Sequence, residues 1–216
     1  MDRVREAAER VVAVQMRYAQ RGLGMAQAAL AGATALEPWR HHPRHDVIDT
    51  HNASQFYYHA HGSLRSPAAE HGHFHLFTRL NDGPADFMHL VALSLDARGL
   101  PLRWFVTNRW VTGGAWADAD TAIAALTRFA PQARGRMAPV GEWLTAMTVL
   151  HGGTIAALLR RRDAVVRRRL AHVDAESFFD DRSVDVITET RISLEHHLAR
   201  AAGWARPPMA VAGEHS

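Results

Sequence analysis

The chain contains neither cysteine nor lysine. The lack of cysteine excludes disulfides, thiolate zinc sites, iron–sulfur clusters and thiol nucleophiles. Because lysine is absent, all 25 basic residues are arginine, whose charge persists far above neutral pH. The isoelectric point is therefore about 10.1, although the formal net charge is only +3. So small an excess of positive charge gives little reason to expect DNA or an anionic membrane as a partner.

Long apolar runs are also missing. The most apolar stretch, residues 23–36, is interrupted by glycine and polar residues and is too short to span a bilayer. The first residues, MDRVREAAERVV, have a charged, helical pattern unlike that of a secretory signal. The sequence therefore predicts a cytoplasmic protein without a membrane partner, and it leaves the oligomeric state open.

The 216 residues, 47% of them hydrophobic, suit one α+β domain spanning 1–216. Residues 1–35 and 117–204 have helical spacing, with helices expected at about 118–130, 140–170 and 183–202 and a break near Gly152 and Gly153. Residues 38–116 form a histidine-rich core, whose first part, up to about residue 53, contains Pro38 and Pro43 and is predicted to be irregular. Strands are expected at 54–61, 71–80, 86–95 and 101–108, as a four-stranded antiparallel meander packed against the helices. Residues 205–216 are predicted to be a frayed tail.

Histidine is the unusual component of this composition. The chain has 15 histidines, and nine of them fall between residues 41 and 75: His41, His42, His45, His51, His59, His61, His71, His73 and His75. Because side chains two apart on a strand share a face, His59 and His61 should lie on one side of the first strand, and His71, His73 and His75 on one side of the second. If the two strands pair with these faces together, several imidazoles can reach one ion.

Three interpretations of this cluster remain open. The favoured one is a transition-metal site held by His59, His61, His71 and His73, with iron or zinc as the ion and manganese or nickel as further candidates. Glu70, His75 or Asp46 would then complete the coordination sphere or move protons. The alternatives are a metal-free acid–base site and a solvated sheet face with polar cross-strand pairs.

Residues outside the strands add further candidates. Asp46 precedes the first histidine strand and is predicted either to bind the ion, to orient an imidazole, or to act as an ordinary loop cap. Arg109, in the segment TNRWVTGGAW, could hold an anionic substrate group, although the tryptophans around it suit plain packing equally well. His89 alternates with apolar residues and is typical of a lone core histidine. The arginine-rich run at 158–170 is typical of a solvated helix face, with a phosphate or nucleic-acid contact as the alternative.

The strings HHPRHDVID, SQFYYHAH, EHGHFHLF and TNRWVTGG resemble the motifs of a bacterial family classed as a domain of unknown function. The resemblance covers about residues 38–116. It brings no known activity, and it departs from the family pattern at His42, where the family has tyrosine, and at Gly114, where it has glutamate. The positions that match are His41, Asp46, Tyr57, Tyr58, His59, His61, Glu70, His71, His73, His75, Asn108, Arg109 and Trp110.

The function predicted from these features is a metal-dependent enzyme that acts on a small molecule, with an anionic substrate as one option, by hydrolysis or oxygenation. A non-catalytic metal- or haem-binding protein and a metal-free, pH-responsive interaction domain are the alternatives. An enzyme needs an open coordination position beside a pocket, whereas a storage or delivery protein can saturate its ion.

Overall fold

A computed structural model describes residues 2–61, 69–80 and 86–203 of the chain. The predicted tail at 205–216 lies outside the described residues. The elements follow in the order α1 Asp2–Ala19, α2 Met25–Ala29, β1 His42–Asp49, β2 Ser54–His59, β3 Gly72–Arg79, β4 Phe87–Leu95, β5 Pro101–Thr107, α3 Arg109–Thr112, α4 Ala119–Leu126, a 3-10 turn at Gly135–Met137, α5 Ala138–Leu150, α6 Gly152–Leu170, α7 Ala175–Phe179, β6 Val186–Arg191 and α8 Leu194–Ala201.

The strands form one antiparallel sheet in sequence order, β1-β2-β3-β4-β5-β6. The predicted antiparallel meander is confirmed for β2 to β5. The predicted number of four strands is wrong, because the sheet has six within the described ranges. A strand was not expected at 42–49, where proline and charged residues hide the strand pattern, and the expected helix over 183–202 is interrupted by β6, with its β-branched sequence VITETR.

One face of the sheet carries the hydrophobic core. Phe56, Phe74, Leu93 and Trp104 project from four neighbouring strands and are fully buried in a cluster that includes Trp143 of α5. The predicted break near Gly152 is confirmed, since α5 ends at Leu150 and α6 begins at Gly152. Because this face is devoted to packing, the opposite face is the one available for polar chemistry.

No helix among the described residues is both long enough and apolar enough to cross a membrane.

Candidate metal centre

The histidine-bearing faces of β2 and β3 lie on the same side of the sheet. The two strands pair with His59 opposite His73 and Tyr57 opposite His75, so alternation places all four side chains on the face away from the core. The sequence prediction of two neighbouring histidine faces is confirmed at these positions. All three imidazoles are buried, with exposed fractions of 8% for His59, 3% for His73 and 1% for His75.

The three rings turn their Nε2 atoms toward a common point. The Nε2 atom of His59 lies 2.8 Å from that of His73 and 3.2 Å from that of His75. Two nitrogens bound to one ion at about 2.1 Å are roughly 3.0–3.4 Å apart, depending on the coordination geometry. The two separations lie within a few tenths of an ångström of this range, and all three ligand atoms lie within 4.8 Å of one another, so the set could hold one transition-metal ion. We call His59, His73 and His75 the histidine triad.

Burial keeps two members of this triad, His59 and His75, neutral. Removal from water lowers the pKa of His59 to about 2, with the neighbouring imidazoles, His73 foremost, adding to the effect. The same cause, burial first and then the charges of His73 and His89, holds the pKa of His75 well below its ordinary value. Neutral imidazoles are the form that binds metal ions, so both rings are ready as ligands across the physiological range.

A buried carboxylate orients His73. Glu70 Oε1 accepts a hydrogen bond from His73 Nδ1 at 2.7 Å, and Arg103 donates to Glu70 Oε2 at 3.3 Å. Burial raises the pKa of Glu70, but the hydrogen bond and charge of His73 together with the charge of Arg103 outweigh it, and the net pKa is lowered. An ionised Glu70 holds the proton of His73 on Nδ1, which leaves the Nε2 lone pair facing the triad. This is the carboxylate–histidine arrangement that usually supports a metal ligand.

His89 plays the corresponding part for His75. Its Nε2 atom lies 3.0 Å from His75 Nδ1, and its Nδ1 atom lies 3.4 Å from the hydroxyl of Thr107. Burial, followed by the charges of Arg162 and His73, lowers the pKa of His89 to about 3. The sequence places His89 with Val91 and Leu93 in the core, but a bulge between β3 and β4 pairs Leu76 with Val91 and Phe77 with His89. The extra residue reverses the alternation and brings His89 to the triad's face.

His61 and His71, two of the four predicted ligands, lie differently. The ring of His61 is 4.9 Å from that of His59 and 5.1 Å from that of His73, and it stacks on Trp39. It therefore borders the triad without joining its convergent nitrogens. His71 precedes β3, and its Nδ1 atom shares a 2.8 Å hydrogen bond with the hydroxyl of Tyr58, a core residue. Gly72 makes room for this contact, since a Cβ there would lie 2.7 Å from the Tyr58 hydroxyl.

Asp46 lies on β1, where its Oδ1 atom bonds His41 Nδ1 at 2.8 Å. Its Oδ2 atom accepts from the side-chain amide of Gln55 at 2.9 Å. The ring of His41 is in turn stacked on Tyr57, with centroids 3.7 Å apart. Of the roles predicted for Asp46, this geometry corresponds to orienting an imidazole, that of His41, beside the triad.

Arg109 is engaged away from the triad. Its guanidinium pairs with Asp180 at 3.0 Å and lies over the ring of Phe179. The arginine that does reach the triad's surroundings is Arg103, which bonds Glu70 and Glu189 and covers the ring of Phe105. Arg103 is not among the residues predicted from the sequence, although strand alternation places it on the same face as Phe105. The register across β4 then aligns it with His73, two strands away, through Ser94.

A small cavity of about 30 Å³ adjoins the triad. His73 and His75 form one side of it, and its other walls include His61, Arg103, Phe105, Thr107, Val111 and Val186. A much larger groove of about 1370 Å³ runs between α1 and α8, but mostly apolar residues line it and it contains no histidine. The groove is larger, but only the cavity lies beside convergent ligand atoms. We take the cavity as the candidate functional site, because convergent ligand atoms are specific whereas an apolar groove is common.

The comparisons with known proteins add a family assignment and no activity. No curated protein and no solved structure gives a significant match. A family model described as "Domain of unknown function (DUF6969)" matches residues 5–192, which include every strand of the sheet and the whole histidine triad. The chain therefore belongs to this family of domains of unknown function.

Proposed function

We propose that this protein is a metal-dependent enzyme whose ion is held by His59, His73 and His75. The observation that carries the proposal is the convergence of three buried Nε2 atoms, two of them 2.8 and 3.2 Å from the third. Zinc and iron are the ions that such a set of imidazoles suits best, with manganese and nickel as further candidates.

The tautomers required for metal binding follow from the outer contacts. The N–H group at His73 Nδ1 donates a hydrogen bond to Glu70, and the N–H group at His75 Nδ1 donates one to His89 Nε2. His89 then carries its own proton on Nδ1, from which it reaches the hydroxyl of Thr107. Both lone pairs are thereby directed at the ion, and the outer residues keep the rings from rotating.

The neutral ligand set supports activation of water over activation of oxygen. Three imidazoles leave the full positive charge on a divalent ion, which favours a low pKa for water at its open position. The usual non-haem iron site for oxygen chemistry instead has two histidines and one carboxylate. Here the nearby carboxylate, Glu70, has both oxygens bound by His73 and Arg103. A haem group is disfavoured because the adjoining cavity measures only about 30 Å³.

The test is the metal content of protein purified without a histidine tag and reconstituted with zinc or ferrous iron. We expect one ion per chain in the wild type and less than a tenth of that in His73→Ala. His71→Ala is the matched control, since it removes a neighbouring histidine that bonds Tyr58 instead. Equal metal content in wild type and His73→Ala would contradict the proposal.

A further inference from the structure

The cavity beside the triad sets a limit on what can reach the ion. Its volume of about 30 Å³ leaves room for no more than a few water molecules. It lies against His73 and His75, so it is where the open coordination position of an ion bound by the triad would face. Whatever replaces water there must be comparably small.

The cavity's walls are well packed. Phe105 is 3% exposed, its ring meets that of His73 edge to face at 5.2 Å, and the guanidinium of Arg103 lies over the ring at 4.6 Å from its centroid. Arg103 in turn bonds the buried carboxylate of Glu70. Enlarging the cavity on this side would break an aromatic contact and a buried ion pair, which is costly in a close-packed interior.

Hydrogen bonds from the segment TNRW, residues 107–110, hold the opposite wall of the cavity in place. Asn108, which is fully buried, donates its backbone N–H to the carbonyl of Asp185 at 2.9 Å, and its side-chain amide donates to the carbonyl of Phe178. Trp110 donates its indole N–H to the carbonyl of Val184 at 3.0 Å. These bonds tie the residues around Val111 to those around Val186, the two aliphatic side chains that line the cavity.

We infer that the triad accepts only ligands of at most about three non-hydrogen atoms, in the size class of water, dioxygen or carbon dioxide, and that Val111 and Val186 set this limit. The inference rests on the proposed metal centre and names its substrate class. Larger organic molecules are excluded by the packed walls, so the selectivity is one of size.

The experiment uses the full chain loaded with Co²⁺, whose visible absorption reports a change of ligand at the ion. Azide, a linear triatomic anion, and imidazole, a planar ring, are titrated separately into the loaded protein. We expect azide to change the spectrum and imidazole to bind at least about a hundredfold more weakly, if at all. In Val111→Ala, imidazole should gain affinity by about tenfold or more, the usual effect of relieving a tight apolar pocket.

Val173→Ala is the matched control, because Val173 is exposed and lies outside the cavity lining. It should keep the wild-type selectivity. Val186→Ala is a second test of the same wall, used in case Val111→Ala folds poorly, and it should also gain affinity for imidazole. Imidazole binding to the wild type within tenfold of azide would overturn the size limit while leaving the metal centre intact. A wild-type protein that takes up no Co²⁺ would overturn the metal centre and, with it, this inference.

Discussion

Two buried histidine groups occupy opposite faces of the same sheet. In the triad the rings meet through their Nε2 atoms, and the outer nitrogens of His73 and His75 are bonded to Glu70 and His89. On the core face, His151 lies at the junction of α5 and α6, 1% exposed, with its ring 3.9 Å from that of His197 and 5.9 Å from that of Trp104. Neither of its nitrogens has a hydrogen-bond partner among the described residues.

The difference between the triad and His151 shows that burial alone does not mark a functional histidine. Burial lowers the pKa of His151 to about 3, as it lowers those of His59 and His75, so a depressed pKa does not distinguish the two groups. The direction of the nitrogen lone pairs distinguishes the triad from His151. Three nitrogens converge in the triad, and outer partners hold two of the rings, whereas His151 faces aromatic rings and the core.

The largest effect we expect is that metal ions stabilise the protein through the triad alone. With free zinc at about a thousand times its dissociation constant, the free energy of unfolding of the wild type should rise by about 4 kcal/mol. His59→Ala should show no such rise, because it removes the ligand that both other triad residues contact. His151→Phe should respond like the wild type. Thermal unfolding with and without zinc measures this, and a zinc response lost in His151→Phe would refute the distinction between the two groups.

The second prediction concerns Glu70, the buried carboxylate behind the triad. Glu70→Gln keeps a hydrogen-bond acceptor for His73 but removes the charge that holds the imidazole proton on Nδ1. We expect metal affinity to fall about 10- to 100-fold, which is usual for such outer partners. Competition with a chelator of known affinity gives the value.

Glu189→Gln is the control for this prediction, since Glu189 pairs with the same arginine but its side chain is half exposed. Its metal affinity should stay within about threefold of the wild type. If the two variants lose affinity equally, the effect passes through Arg103 and the orienting role of Glu70 is wrong.

The third prediction uses pH to isolate His151. In the unfolded chain a histidine has a pKa near 6.5, whereas burial holds that of folded His151 at about 3. Below pH 6.5 the unfolded chain therefore binds a proton that the folded chain does not, and acid favours unfolding. The stability contribution is fully present above pH 6.5 and is lost progressively as the pH falls toward 3; by pH 5 the loss is about 2 kcal/mol.

His151→Phe should remove this part of the acid sensitivity. Between pH 7 and pH 5 its free energy of unfolding should fall by about 2 kcal/mol less than that of the wild type, measured by urea denaturation. The same substitution at His172, an exposed histidine, should leave the slope unchanged. Parallel pH profiles for His151→Phe and the wild type would mean that His151 does not change its environment on folding.

The sequence predicts part of the triad, since His59 and His73 are among the four expected ligands, whereas His75 is expected only to complete the coordination sphere or move protons. The strands β2 and β3 are joined closely enough to pair, and a period of two residues puts alternate side chains on one face, so His59, His73 and His75 could be placed together from spacing alone. The same argument explains β4 and β5, which are rich in apolar and aromatic residues. It could not find β1, because an edge strand with the sequence HPRHDVID lacks an apolar alternation.

The errors arise where that period is interrupted. His71 stands one residue before β3 begins, so alternation no longer governs its ring, which turns to Tyr58 across the space left by Gly72. The bulge between β3 and β4 moves His89 to the triad's face, and nothing in the local sequence marks it. Arg103 needed the register of β5 against β4 before its proximity to Glu70 could be seen.

The smallest effect is expected at Arg109, which the sequence associates with the site and the structure separates from it. Arg109 pairs with Asp180, and both side chains are largely accessible, at 35% and 61%. Such a surface pair contributes about 1 kcal/mol or less, so Arg109→Ala should lower the free energy of unfolding by no more than that. Its affinities for zinc and, in the Co²⁺ form, for azide should equal those of the wild type, because Arg109 lines neither the triad nor the cavity.

A double-mutant cycle with Asp180→Ala separates the ion pair from other effects of the arginine. If stability falls as expected and azide affinity is unchanged, the role of Arg109 is to hold the TNRW segment in position, as the hydrogen bonds of Asn108 and Trp110 do. If azide affinity instead falls tenfold or more while metal content stays whole, Arg109 acts on an anion at the ion, as its position in the motif first suggested. The cavity would then have to open toward α3 when a ligand binds, and the separation of Arg109 from the triad would not hold in the ligand-bound protein.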